Sequence, residues 1–159
     1  MTDIPTASRP PTPAAPQVLL VCTANICRSP MAEALWQEAA AARPRPPSVG
    51  SAGLDADPGR MPDPTCVELM AARGLDISGH RATRFRADIA TDCELILVME
   101  PAHAKRIQAL APQLAGRVQL LGRWSGGSIL DPYRRPRAAY EVCLSALEDS
   151  VRAWLNKVP

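Results

Sequence analysis

Four short apolar runs, at 17–22, 48–54, 94–99 and 117–122, are separated by stretches with helical spacing. That alternation reads β-α-β-α-β-α-β-α and constrains the chain more than any other feature. Strands joined by helices lie parallel, because each right-handed crossover carries the chain back across the sheet before the next strand begins. The expected fold is therefore α/β with four parallel strands, and 159 residues, 47% of them apolar, suffice for one such core. Ligands of open parallel sheets bind outside the carboxyl ends of the strands, so the loops there are where chemistry is sought.

The helices between the runs carry their own start and stop signals. The first is expected over 30–42, with Ser29 as N-cap and Pro30 at the first helical position. Others are expected over 64–73, stopped by Gly74, and over 101–110, ahead of Pro112. In the last, from about 136 to 157, Tyr140, Leu144, Leu147, Val151, Trp154 and Val158 form one apolar face suited to packing on a sheet. Residues 1–16 hold five prolines and no apolar core of a signal peptide. They are expected to be a disordered tail ahead of a single domain over 17–159, which points to the cytoplasm.

Between the first strand and the first helix the chain reads VCTANICRSP, residues 21–30. Backbone N–H groups of such a loop converge with the positive end of the helix on one point, where a tetrahedral dianion fits. Arg28 adds a planar fork for two phosphate oxygens, which a lysine could not reproduce. The same field favours a thiolate at Cys22, since cysteines so placed fall to a pKa of about 3.5–7.5. Asp131, in ILDPYRRP, would by itself be a turn residue. Beside a thiolate nucleophile it is a candidate to protonate a leaving oxygen and then take a proton from water.

The chain resembles the low-molecular-weight protein tyrosine phosphatases, particularly their bacterial branch associated with exopolysaccharide production. The motifs are CTANICRSP (22–30), SAGL (51–54), GLDISGH (74–80), LVMEP (97–101) and LDPYR (130–134), in the family's order. The resemblance implies a three-layer α/β/α sandwich with the phosphate-binding loop after the first strand, and hydrolysis of protein phosphotyrosine through a phosphocysteine intermediate. Cys22 would be the nucleophile, Arg28 the phosphate clamp, Ser29 the hydroxyl that supports the thiolate, and Asp131 the general acid and base. Residues Thr23, Ala24, Asn25, Ile26, Cys27 and Arg28 would surround the phosphate, with Asn25, Ser51 and His80 holding the loop's shape. The family commonly has glycine where this chain has Ala24, so Asn25 is expected to carry any left-handed turn. Ile26, Leu54 and Tyr133 are candidates for the wall against an aromatic ring, and Cys27 could form a protective disulfide with Cys22. The partner the resemblance implies is a phosphotyrosine protein, a bacterial tyrosine autokinase, met by a monomer or weak dimer.

Three rivals share the loop. A thiol-type arsenate reductase needs relay cysteines near the end of the third strand, where this chain has LVMEPAH, and Cys93 precedes the strand. Protein arginine phosphatases have a small threonine where Ile26 stands. An inactive phosphoprotein-binding module would usually lack the nucleophile or the acid, and both are present. Five cysteines without paired CxxC spacing, and two histidines, suggest reduced thiols with no metal or cofactor; Cys66, Cys93 and Cys143 fall in apolar-periodic segments. A net charge of +2 without a basic run gives no argument for a nucleic-acid partner, so none is expected, and no apolar run approaches a membrane span.

Overall fold

The computed structural model describes residues 15–158. The expected tail falls almost wholly on residues outside these. Four strands, β1 (Val18–Cys22), β2 (Val49–Gly53), β3 (Leu95–Val98) and β4 (Val118–Leu120), pair in parallel in the order β2-β1-β3-β4. Each lies inside its expected run. Among the described residues five helices accompany them: α1 (Arg28–Ala40), α2 (Pro64–Ala72), α3 (Ala87–Ala90), α4 (Pro101–Leu110) and α5 (Arg137–Leu155).

Alternation along the strands divides the core into two. Val18, Leu20, Leu97 and Met99 face α1, α2 and α5, whereas Leu19, Val21, Ile96 and Val98 face α4 and the segment around Leu114. This is the three-layer sandwich that the resemblance implied. The chain leaves β1 for β2 on one side and then crosses to β3 on the other, so the loops after β1 and β3 diverge. The crevice between them is the switch point where ligands of such sheets bind.

Two expectations change. Helix α1 begins at Arg28, not Pro30, and Cys27 is its N-cap, so Ser29 caps nothing and its hydroxyl turns to Cys22 and Asn25. Pro30 is accommodated in the first turn, where a missing N–H leaves no intrahelical bond unmade. Helix α5 packs chiefly along α1 rather than directly on the sheet, and its buried stripe adds Cys143, Ser150 and Leu155 to the expected face. Short 3₁₀ turns at Pro112–Arg117 and Leu121–Trp124, and helix α3, had no clear sequence signal.

Gly53, at the end of β2, sets the distance between strand and loop. A Cβ there would lie 2.7 Å from the Thr23 carbonyl oxygen and 2.8 Å from the Asn25 nitrogen, both backbone atoms that cannot swing aside. Gly53→Ala should therefore push the loop after β1 outward and cost about 1–3 kcal/mol in urea unfolding. At Gly116, where a Cβ meets nothing within 4 Å, alanine should change stability by less than about 0.5 kcal/mol.

Candidate active site

Residues 23–27 bridge the end of β1 and the start of α1. Asn25 has φ +56°, the left-handed turn expected of it. Its backbone N–H donates to Cys22 Sγ at 3.3 Å. The side chain is completely buried, and its orientation follows from the Thr83 backbone N–H, which can only donate and does so to Asn25 Oδ1 at 2.9 Å. Asn25 Nδ2 must then give its two hydrogens to Ser29 Oγ at 2.7 Å and Ser51 Oγ at 2.9 Å. Since Ser29 Oγ accepts there, its own hydrogen is free for Cys22 Sγ, 2.9 Å away. His80 Nε2 closes the set by donating to the Asn25 carbonyl oxygen at 3.0 Å. The structure thus brings Asn25, Ser51 and His80 together, as expected of loop-supporting residues.

Cys22, Ala24, Ile26, Cys27, Arg28, Asp131 and Tyr133 line one small cavity. Thr23 and Asn25 turn their side chains away into supporting contacts, whereas Ala24, Ile26 and Cys27 face the cavity. Arg28 is 2% exposed. Its Nη1 donates to Glu100 Oε1 at 2.9 Å and to the Ile129 carbonyl at 2.7 Å, and its Nη2 lies 3.8 Å from Asp131 Oδ2. The Asp131 side chain is 45% exposed, and its Oδ1 accepts the Tyr133 N–H at 3.1 Å, so the expected Asp-Pro turn and the place at the cavity coexist.

Leu54 is the exception among the expected wall residues. It is buried with Val21, Ala52 and Val98 on the opposite side of the sheet, and does not line the cavity. Strand alternation puts it there, because Leu54 shares a face with Ala52 while Ser51 points to Asn25.

Several contributors were not singled out from the sequence. Glu100 is the partner of Arg28. His103, buried on α4, accepts the Glu100 N–H at Nδ1 (3.2 Å), so Nε2 carries the hydrogen and donates to Thr23 Oγ1 at 2.9 Å. Glu33, on α1, has its carboxyl pushed up by burial despite a hydrogen bond with Ser51. Asp63 caps α2 by accepting the Thr65 N–H, and it also accepts from Tyr140 at 2.9 Å and from the Cys27 thiol at 3.6 Å. The adjoining Cys66 thiol and burial together raise the Cys27 thiol. Burial likewise pushes the Cys143 thiol up to about 12. One available signal was that a buried arginine requires a carboxylate, and LVMEP offers one at a strand end.

A strand-ending cysteine under a turn of backbone donors, closed by a buried arginine, is the cradle of a cysteine-dependent phosphate-ester hydrolase. Residues 17–159 match the family model described as low molecular weight phosphotyrosine protein phosphatase. The chain is 40% identical over 139 residues to the low molecular weight protein-tyrosine-phosphatase Wzb of Escherichia coli K12, covering 86% of this chain and 91% of that one. The crystal structure of the Erwinia amylovora tyrosine phosphatase AmsI superposes with a TM-score of 0.83 at 34% identity, covering 89% of this chain and 91% of that one. An arginine phosphatase, YwlE, also superposes at 0.83, with 27% identity and coverages of 88% and 93%. The chain belongs to the low molecular weight phosphotyrosine protein phosphatase family. Among the described residues no three His, Cys, Asp or Glu side chains are grouped to hold a metal ion, and no helix is long and apolar enough to cross a membrane.

Burial, with the Arg28 and Arg106 charges adding to it, holds His103 below the usual imidazole range, against the opposing pull of Glu100 and Asp131. The unfolded chain therefore binds the proton first, and stability is lost as pH falls below the unfolded value of about 6.5 toward the folded one. His103→Gln, which keeps a donor for Thr23 but does not titrate, should lose less stability than the parent between about pH 7 and 5, as read by urea midpoints.

Proposed function

We propose that Cys22, Arg28 and Asp131 carry the hydrolysis of protein phosphotyrosine in this chain through a phosphocysteine intermediate. The observation that supports this best is their convergence on one cavity, with two hydrogen-bond donors already directed at the Cys22 sulfur. A thiolate fills both donors, and its attack on phosphorus transfers the phosphoryl group to sulfur while the P–O bond to the phenol breaks. Loop N–H groups and Arg28 stabilise the spread negative charge of the transition state. Asp131, at the cavity and exposed enough to meet solvent, protonates the departing phenolate. In the second step it takes a proton from the water that attacks phosphorus, and Ser29 hydrogen-bonds the thiolate as it leaves.

Ile26 and Tyr133 favour an aromatic substrate. Both line the cavity, and the Ile26 side chain offers no partner for the extra N–H groups of a phosphoguanidinium; each such group left unpaired costs about 1–3 kcal/mol. Phosphotyrosine peptides should therefore exceed phosphoarginine peptides at least about tenfold in kcat/KM, with Ile26→Thr narrowing the gap. Equal efficiencies would move the assignment to the arginine phosphatases. The absence of a cysteine at the end of β3 disfavours arsenate reduction. In cellular terms the reading is a cytoplasmic enzyme acting on a bacterial tyrosine autokinase linked to exopolysaccharide production. Once peroxide has oxidised Cys22 to the sulfenic acid, Cys27, released from Asp63 as the loop adjusts, would attack that sulfur to form the disulfide and expel water, sparing Cys22 from over-oxidation.

Cys22→Ser should abolish turnover of an aryl phosphate and retain binding of a phosphate mimic. Asp131→Asn should slow esters of poor leaving groups far more than activated ones, in steady-state assays across a series of phenols. An equal loss across the series removes Asp131 from the acid role.

A further inference from the structure

Arg60 and Arg134 pack on Tyr133, one of the residues that line the cavity, and have no assigned task. Arg60 Nη2 donates to the Tyr133 hydroxyl at 2.9 Å, and its guanidinium lies over the Tyr133 ring, 5.7 Å from the centroid. Arg134 lies over the same ring at 5.2 Å. Both are exposed. Arg28, Arg73, Arg106 and Arg137 each reach a carboxylate, but among the described residues Arg60 and Arg134 reach none.

Hydrogen bonds fix the backbone from which both side chains project. Arg60 is fixed by the Ala82 N–H on its carbonyl at 2.9 Å and by its own N–H on the Asp57 carbonyl at 3.1 Å. Arg134 is the third residue of a turn closed by the Arg135 N–H on the Pro132 carbonyl, and has φ +61°. That position normally takes glycine or asparagine. Tyr140, whose hydroxyl accepts the Arg134 N–H at 3.3 Å, helps hold it there. An arginine kept in left-handed backbone beside a cavity invites a functional reason for its side chain.

We propose that Arg60 and Arg134 form an anion-reading rim, which selects phosphotyrosine segments bearing a second negative group within a residue or two of the one being cleaved. The proposal rests on the phosphotyrosine reading above. With the substrate ring against Tyr133, flanking residues pass the two guanidiniums. A carboxylate or a second phosphate there meets planar donors that no protein carboxylate already occupies. Contact with Tyr133 holds both heads, so little side-chain freedom remains to be lost on binding.

The test uses the Cys22→Ser protein, so that binding is read without turnover, and three labelled phosphotyrosine peptides flanked by glutamine, by glutamate, or by a second phosphotyrosine. At low salt the anionic peptides should bind about fivefold tighter than the glutamine peptide, with the difference lost at about 0.5 M salt. Adding Arg60→Gln and Arg134→Gly should shrink it below about twofold. Arg134→Gly also relieves the left-handed backbone, so a retained or raised Tm shows that the protein is folded. A preference for only one anionic peptide identifies the carboxylate or the phosphate as the group read. Equal binding of all three peptides, or a preference that survives both substitutions, overturns the rim and leaves the arginines as props of Tyr133. Parallel assays of the parent on an aryl phosphate separate the two readings: no turnover with the rim preference intact removes the phosphatase assignment alone.

Discussion

The active-site architecture depends on keeping Arg28 charged while it is almost sealed from water. A guanidinium at that depth is tolerable only when its donors are met, because removing one partner of a buried ion pair commonly costs about 3–5 kcal/mol. Two groups accept from Arg28, Glu100 at the start of α4 and the Ile129 carbonyl, and the Asp131 carboxylate lies 3.8 Å away as a further counter-charge. The Ile129 N–H in turn bonds the Met99 carbonyl at 2.9 Å, just past β3. The segment carrying Asp131 is thereby tied to the same strand end as Glu100. One buried cation fixes the relation between the loop after β1 and the far loop that carries Asp131, and the parallel sheet brings both to its carboxyl edge.

A second constraint runs through Asn25. The relay from the Thr83 N–H through the Asn25 amide and the Ser29 hydroxyl has one possible direction, since its first donor is backbone. Its effect is to deliver a hydrogen to the Cys22 sulfur without any titrating group in the chain. Only a residue that tolerates left-handed backbone and also carries a donor and an acceptor serves here. Glycine lacks the amide, and aspartate would present a second acceptor where Ser29 and Ser51 require a donor. The alanine at position 24 then carries no conformational penalty, because the turn that needs positive φ lies one residue later.

What the sequence made legible follows from range. Strand runs, Gly74 as a stop with φ +87°, and the strand–loop–helix cradle are local patterns, and they lie within a residue or two of expectation. The start of α1 was misplaced because the capping rule assumes that a serine hydroxyl is free to bond its own helix, whereas Cys22 and Asn25 claim it. Leu54 was assigned to the wall although alternation from Ser51 already directs it to the other face. Glu100 and His103 escaped notice for a different reason. Their roles arise from contacts 72 and 80 residues distant in the chain, which no local window contains.

The two histidines show how one residue type is set to different tasks by what lies opposite each ring nitrogen. His80 faces a carbonyl, so its Nε2 must donate. His103 accepts a backbone N–H at one nitrogen while donating at the other, so a second proton would set two N–H groups against each other. Neutrality is thus a structural requirement at position 103. It falls on the residue that joins Thr23, in the loop after β1, to the helix start bearing the Arg28 counter-ion, where an added positive charge would also oppose Arg28 itself.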